Sequence, residues 1–161
     1  MQKLSGFVPI IGAPNAGKST LLNAILGQNI SIVTAKPQTT RNRITGIYTK
    51  DNVQIVFVDT PGMLDPKYKL QQFMSREIDS SVNESDVIVL VIDIKKYERD
   101  SFAKLYDKYS NEYKDHKLFC VINKIDLIRK EEILSVIKDI ADNFKVDEII
   151  PVSAVKGFNV D

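Results

Sequence analysis

Apolar runs and amphipathic stretches alternate along the whole chain. Val- and Ile-rich runs recur at 6–11, 44–48, 53–58, 86–93, 117–122 and 148–152. They lack the strict in/out alternation of half-exposed strands, so they read as strands buried on both faces. Between them the apolar positions fall at three- and four-residue spacing. Leu21, Leu22, Ala24, Ile25 and Leu26 form one such set, and Leu70, Phe73, Met74, Ile78 and Val82 a second within 69–82. Phe102, Leu105, Tyr106 and Tyr109 lie in 100–113, and Ile133, Leu134, Ile137, Ile140 and Phe144 in 130–144. Each stripe is expected to face a sheet. Helical spacing likewise makes Tyr106, Tyr109 and Tyr113 packing residues, not a stacking platform. The alternation predicts an α/β fold, a mostly parallel six-stranded sheet with helices on both faces. Ligands of such sheets bind beyond the carboxyl ends of the strands.

Composition narrows the field. The chain has 161 residues, 43% hydrophobic and 27% charged, which suits one domain with a proper core. A net charge of +1 gives no global electrostatic case for a nucleic-acid binder, DNA included. The single cysteine, Cys120, lies in the apolar run Leu118–Ile122 and is expected to be a buried, inert thiol. His116, between Asp115 and Lys117, is expected at the surface. No run approaches the ~18 apolar residues of a membrane span, and Met1–Ser5 lacks a signal-peptide core. A cytoplasmic protein fits these features.

The chemistry is carried by Gly12-Ala13-Pro14-Asn15-Ala16-Gly17-Lys18-Ser19, a G-x-x-x-x-G-K-S run between the first strand and the first helix. This is the context of a phosphate-binding P-loop. Successive backbone N–H groups turn inward on an anion, and the helix adds its positive end. Lys18 can reach the β- and γ-phosphates, and the Ser19 hydroxyl can ligate Mg²⁺. The strand at 53–58 ends in Asp59-Thr60-Pro61-Gly62. There Asp59 can hold a water on Mg²⁺ and the Gly62 N–H can approach a γ-phosphate.

Asn123-Lys124-Ile125-Asp126 follows the strand at 117–122 and selects a base. The Asp126 carboxylate can accept from both the ring N–H and the exocyclic amine of guanine. Adenine would present a lone pair and leave that carboxylate unpaired. Lys124 can lay its stem along the purine, Asn123 can tie the loop to the P-loop, and Ser153-Ala154 can offer a backbone N–H to guanine O6. The expected nucleotide set is Gly12, Asn15, Ala16, Gly17, Lys18, Ser19, Thr20, Asp59, Gly62, Asn123, Lys124, Asp126, Ser153 and Ala154.

With these motifs in order, the chain resembles a translation-factor-related G domain of the P-loop NTPase fold. Within that class it resembles the Era family of bacterial small-subunit assembly GTPases. The discriminating stretch is Gly27–Thr34 running into Pro37-Gln38-Thr39-Thr40-Arg41-Asn42-Arg43-Ile44-Thr45-Gly46-Ile47; tandem-G-domain and tRNA-modifying relatives carry G-T-T-R-D there. The resemblance covers essentially all of residues 1–161. It implies that Thr40, beside Thr39, closes over Mg²⁺ and γ-phosphate, that residues 30–42 form switch I, and that Gly62 to about Lys69 forms switch II. It implies catalytic roles for Lys18, Thr40 and Gly62, Mg²⁺ held by Ser19, Thr40 and Asp59, and K⁺ beside the phosphates at Asn15. It implies the small ribosomal subunit and 16S rRNA as partners, peripheral association with the inner face of the cell membrane, and a last helix and RNA-binding KH domain beyond Asp161.

One position departs from the wider class. Ras-like enzymes place a water-orienting glutamine just after the Gly62 equivalent, and here Met63 stands, with no side-chain amide. Slow intrinsic hydrolysis of GTP to GDP, raised by K⁺ or a partner, is the expectation. Two alternatives stay open on sequence: a partner-dependent switch with negligible hydrolysis, and the G domain of a tRNA-modifying or tandem-G-domain relative. Lys36, Arg41 and Arg43 give switch I a local basicity that a solvated loop also explains.

Overall fold

The computed structural model describes residues 3–34, 40, 42–63, 67–112 and 115–161, with the side chains of 111 and 112 left aside. Thr39, Lys36, Arg41, Tyr113 and residues 64–66 of the expected switch II fall outside the described residues.

The strands are β1 (Leu4–Gly12), β2 (Ile44–Lys50), β3 (Val53–Asp59), β4 (Val87–Asp93), β5 (Lys117–Asn123) and β6 (Glu148–Pro151). The helices are α1 (Lys18–Leu26), α2 (Lys69–Asn83), α3 (Arg99–Glu112) and α4 (Lys130–Asn143). The sheet has the order β2-β3-β1-β4-β5-β6. Every pairing is parallel except β2 with β3. That hairpin turns through Asp51 and Asn52, with Asp51 left-handed at φ 54°, a conformation Asp tolerates better than most residues.

Strand alternation divides the core. Ile88, Leu90 and Ile92 of β4 pack with Leu118, Cys120 and Ile122 of β5 against α2, α3 and α4. The intervening Val89, Val91 and Val121 join Ile10, Leu21 and Leu22 on the α1 face. Helices therefore cover both faces of the central strands, and their continuous apolar runs follow from that; edge strand β2 departs from the expectation for 44–48, with Gly46 buried and Ile47 exposed. Cys120 lies in this core, and burial pushes its thiol pKa up to about 12, as an inert thiol requires.

Three helical positions read as core are exposed: Leu70, Phe73 and Leu134. Leu70 shares its row with Met74 and Ile78, so the phase of α2 is right, but its first turn lies outside the packed cluster. On α4 the packed row is Ile133, Ile137 and Ile140, and Leu134 sits one residue, about 100°, round the helix. His116 is half-buried, its Nδ1 3.2 Å from Ser85 Oγ. A surface position was the expectation; packing of the β5 entry against the end of α2 accounts for the difference.

The register brings the carboxyl ends together. Ile10 lies opposite both Asp59 and Val89, and Asp93 lies opposite Asn123. Ile122, fully buried between sheet and helices, should lose about 2–5 kcal/mol of unfolding free energy as Ile122→Ala. Leu134→Ala should change it by less than about 0.5 kcal/mol. Urea unfolding of the two variants beside wild type checks both.

Candidate functional site

At the crevice the chain leaves β1, turns through the P-loop and enters α1 at Lys18. Gly17 caps that helix at φ 98°, where an L side chain is strained. A Cβ there would also stand 2.0 Å from Asn123 Nδ2. Gly62 faces the loop from the other side, and a Cβ on it would come 2.8 Å from Pro14 Cα. Close backbone approach fixes both residues as glycine. The loop bounds a cleft of about 450 Å³ lined by Pro14, Asn15, Gly17, Lys18, Ser19, Thr20, Ile32–Thr34, Thr40, Thr60, Gly62, Asp93, Lys96 and Lys124.

Lys18 is nearly buried, its ammonium donating to Gly12 O at 3.1 Å and Ala13 O at 2.8 Å. Burial lowers its pKa to about 8, against the opposing pull of the Asp59 charge. Asp59 is fully buried, and burial raises its carboxyl pKa against hydrogen bonds from its neighbours and the Lys18 charge. Ser19 Oγ donates to Asp59 Oδ2 at 2.5 Å, and Thr40 Oγ1 donates to the same oxygen at 3.4 Å. The two hydroxyl oxygens are 3.2 Å apart. Asp59 Oδ1 is buried without a hydrogen-bond partner. Oxygen donors from α1, β3 and Thr40, one of them without a hydrogen-bond partner among the described residues, suit a hard divalent cation such as Mg²⁺.

The Asn123–Asp126 loop is tied to the P-loop. Asn123 Nδ2 donates to Ala16 O at 2.9 Å, and Lys124 Nζ to Asn15 O at 2.7 Å. Asp126 is exposed, its carboxylate accepting from Ser153 Oγ at 2.6 Å. Beyond β6, the Ala154 N–H donates to Asn123 Oδ1 at 3.0 Å. Asn123 is buried, so both ends of its amide must be satisfied, and Ala154 supplies the donor.

Met63 donates its backbone N–H to Gly12 O at 2.9 Å while its half-buried side chain packs on the core. Asn15, left-handed at φ 59°, lines the cleft.

Sequence reasoning passed over three residues of this region. Asn23 on α1 clamps the start of the 30–42 segment: its Oδ1 accepts from the Ile30 and Ser31 N–H groups, and its Nδ2 donates to Ser31 O. Asp93 and Lys96 line the cleft from beyond β4. Asp93 did carry a readable signal, since it ends an apolar strand as Asp59 and Asn123 do.

Fold and cleft together define a P-loop nucleotide-binding domain. The sequence profile of the "50S ribosome-binding GTPase" family matches residues 7–124, and the chain belongs to that family. It is 46% identical to GTPase Era of Clostridium acetobutylicum over 98% of this chain and 52% of the relative. Among solved structures, a variant of Aquifex aeolicus Era bound to GDP·AlF4⁻ superposes with a TM-score of 0.91 at 37% identity, covering 98% of this chain and 54% of that one. Era in complex with MgGDPNP and nucleotides 1506–1542 of 16S ribosomal RNA gives 0.92 at 38%, covering 99% and 54%. The chain thus spans about half the length of these relatives.

The buried ammonium gives a pH signature. The folded-state pKa of Lys18 lies near 8, below its ordinary 10.5, so between these values the unfolded chain binds the extra proton. The Lys18 contribution to stability is therefore present above 10.5 and lost as pH falls through 8. In the absence of nucleotide, the unfolding free energy of wild type relative to Lys18→Met should rise by roughly 3 kcal/mol between those pH values. Denaturant titrations of both proteins across that range read it directly.

Proposed function

We propose that this chain is the G domain of an Era-type protein, binding GTP and GDP and hydrolysing GTP as a molecular switch in small-subunit ribosome assembly. The observation that carries the reading is the tie between base loop and phosphate loop. Asn123 and Lys124 each reach a P-loop carbonyl, which supports reading the loop that carries Asp126 and the P-loop as two parts of one nucleotide site. Asp126 would read guanine, Lys124 would floor the purine, and the P-loop N–H groups with Lys18 would receive the phosphates.

Hydrolysis would be in-line attack of water on the γ-phosphate. Lys18 counters the negative charge of the phosphate oxygens. The Gly62 N–H is presented on a backbone pressed against Pro14. Ser19, Thr40 and Asp59 would hold Mg²⁺, which supplies charge neutralisation when bound. Met63 orients no water through its side chain, which is packed on the core. We assign the missing charge to K⁺ held at Asn15, the P-loop residue on the cleft wall. The packing of Met63 also favours a second reading, in which turnover waits for a partner that supplies the positioning group.

Partners follow from the resemblance. An Era-type reading puts small-subunit 16S rRNA as the target, bound through a KH domain. It also puts the protein in the cytoplasm. The same reading makes any association with the cell membrane peripheral; among the described residues no helix is long and apolar enough to cross one.

The test is GTP hydrolysis with Mg²⁺ in KCl against NaCl at equal ionic strength. Turnover should be about tenfold or more faster in KCl, and Asn15→Ala should remove that dependence on K⁺. Bound GTP with no turnover in either salt would favour the partner-dependent switch.

A further inference from the structure

A lysine stem is a poor floor for a purine unless its end is held. Four rotatable bonds leave an untethered ammonium free to sample many rotamers, and ordering them costs free energy. In this chain the end of Lys124 is held twice. Its Nζ donates to Asn15 O and to Asp93 Oδ2, each at 2.7 Å. The second is a charge-assisted bond, and the Asp93 side chain is only 9% exposed, so solvent screens it less than a surface pair.

Asp93 is itself fixed. It ends β4 directly opposite Asn123 in the parallel register, and its Oδ1 accepts from Lys95 N at 3.0 Å, capping the turn that follows. One carboxylate oxygen thus anchors the carboxylate and the other grips the lysine. Lys124 starts from a left-handed backbone at φ 67°, which sets the direction in which its stem leaves the loop. With both ends set, the stem crosses beside Gly17, its Cε 4.0 Å from where a Cβ on that glycine would be.

Resting on the guanine-nucleotide reading, we infer that Asp93 is a positioning residue for the base: it acts through Lys124, holding the stem as the purine floor and the base loop against Asn15. The β4 end thereby joins the base site, alongside the ends of β5 and β6.

The test is calorimetric titration of the 161-residue chain with GDP. Asp93→Ala should weaken GDP by about tenfold or more, the scale of a bond to a charged group. Asp93→Asn keeps an acceptor for Lys95 N and removes only the charge. It should still weaken GDP by about threefold or more, and it carries the test if the alanine variant does not fold. In a Lys124→Met background, which keeps the stem and removes the ammonium, Asp93→Ala should change GDP affinity by less than about twofold. Three results overturn the inference: wild-type affinity in Asp93→Ala, full recovery in Asp93→Asn, which would leave only a turn cap, or additive losses in the double variant. Failure of the unsubstituted chain to bind GDP at all would instead overturn the nucleotide reading on which the inference rests.

Discussion

One side-chain amide holds the crevice together. Asn123 is buried at the end of β5, between two loops that the sequence places more than a hundred residues apart on one side and some thirty on the other. Its Nδ2 reaches Ala16 in the P-loop, and its Oδ1 receives the N–H of Ala154 beyond β6. A buried amide must satisfy both ends or cost stability, so the arrangement is close to all-or-none. The same contact explains the tight glycine at Gly17, where any side chain would displace Asn123 Nδ2. Lys124 then repeats the tie one residue on, to Asn15 and Asp93. Base loop, phosphate loop and the end of β4 are thereby a single rigid unit, and the sheet register is what delivers its members to one edge.

This rigidity contrasts with the opposite wall of the cleft. Thr40 reaches the Ser19–Asp59 pair only through longer hydroxyl contacts of 3.2 and 3.4 Å. The 30–42 segment is pinned at its start by Asn23, and directly after that clamp Ile32 and Val33 are exposed. One wall is thus set by buried, fully satisfied hydrogen bonds, and the other by contacts that a bound phosphate and cation would tighten. A nucleotide switch needs that asymmetry: the base and α/β-phosphate side must hold while the γ-phosphate side responds.

Much of this was legible in the sequence because the determinants are local. Each strand is a short apolar run, and each phosphate- or base-binding loop is a contiguous motif directly after one, so order and spacing sufficed. Legibility failed where a role depends on a contact across the chain. Leu70 keeps helical phase yet stays exposed, because periodicity cannot say where the core ends along a helix. No local pattern shows that the Ala154 N–H meets Asn123 Oδ1. Asp93 was passed over although its position, a carboxylate closing an apolar strand, is the same signal that marked Asp59. What distinguishes it is the lysine it meets, and that is a product of register between β4 and β5.

The charges of the cleft show what the fold gives up for its chemistry. Lys18 and Asp59 are both buried, and burial moves each toward its neutral form, partly opposed by their mutual attraction. Among the described residues Lys18 finds carbonyl oxygens for its ammonium, and Asp59 keeps one oxygen with no hydrogen-bond partner. A domain optimised for stability alone would replace such a pair with apolar side chains. Retaining it makes sense only if a polyanion and a cation supply the missing counter-charges, so the part of the binding free energy that goes to relieving these groups is the part the unliganded fold forgoes. Met63 fits the same logic. Its side chain serves the core and its N–H serves the P-loop, so neither end of the residue is left over for the cleft.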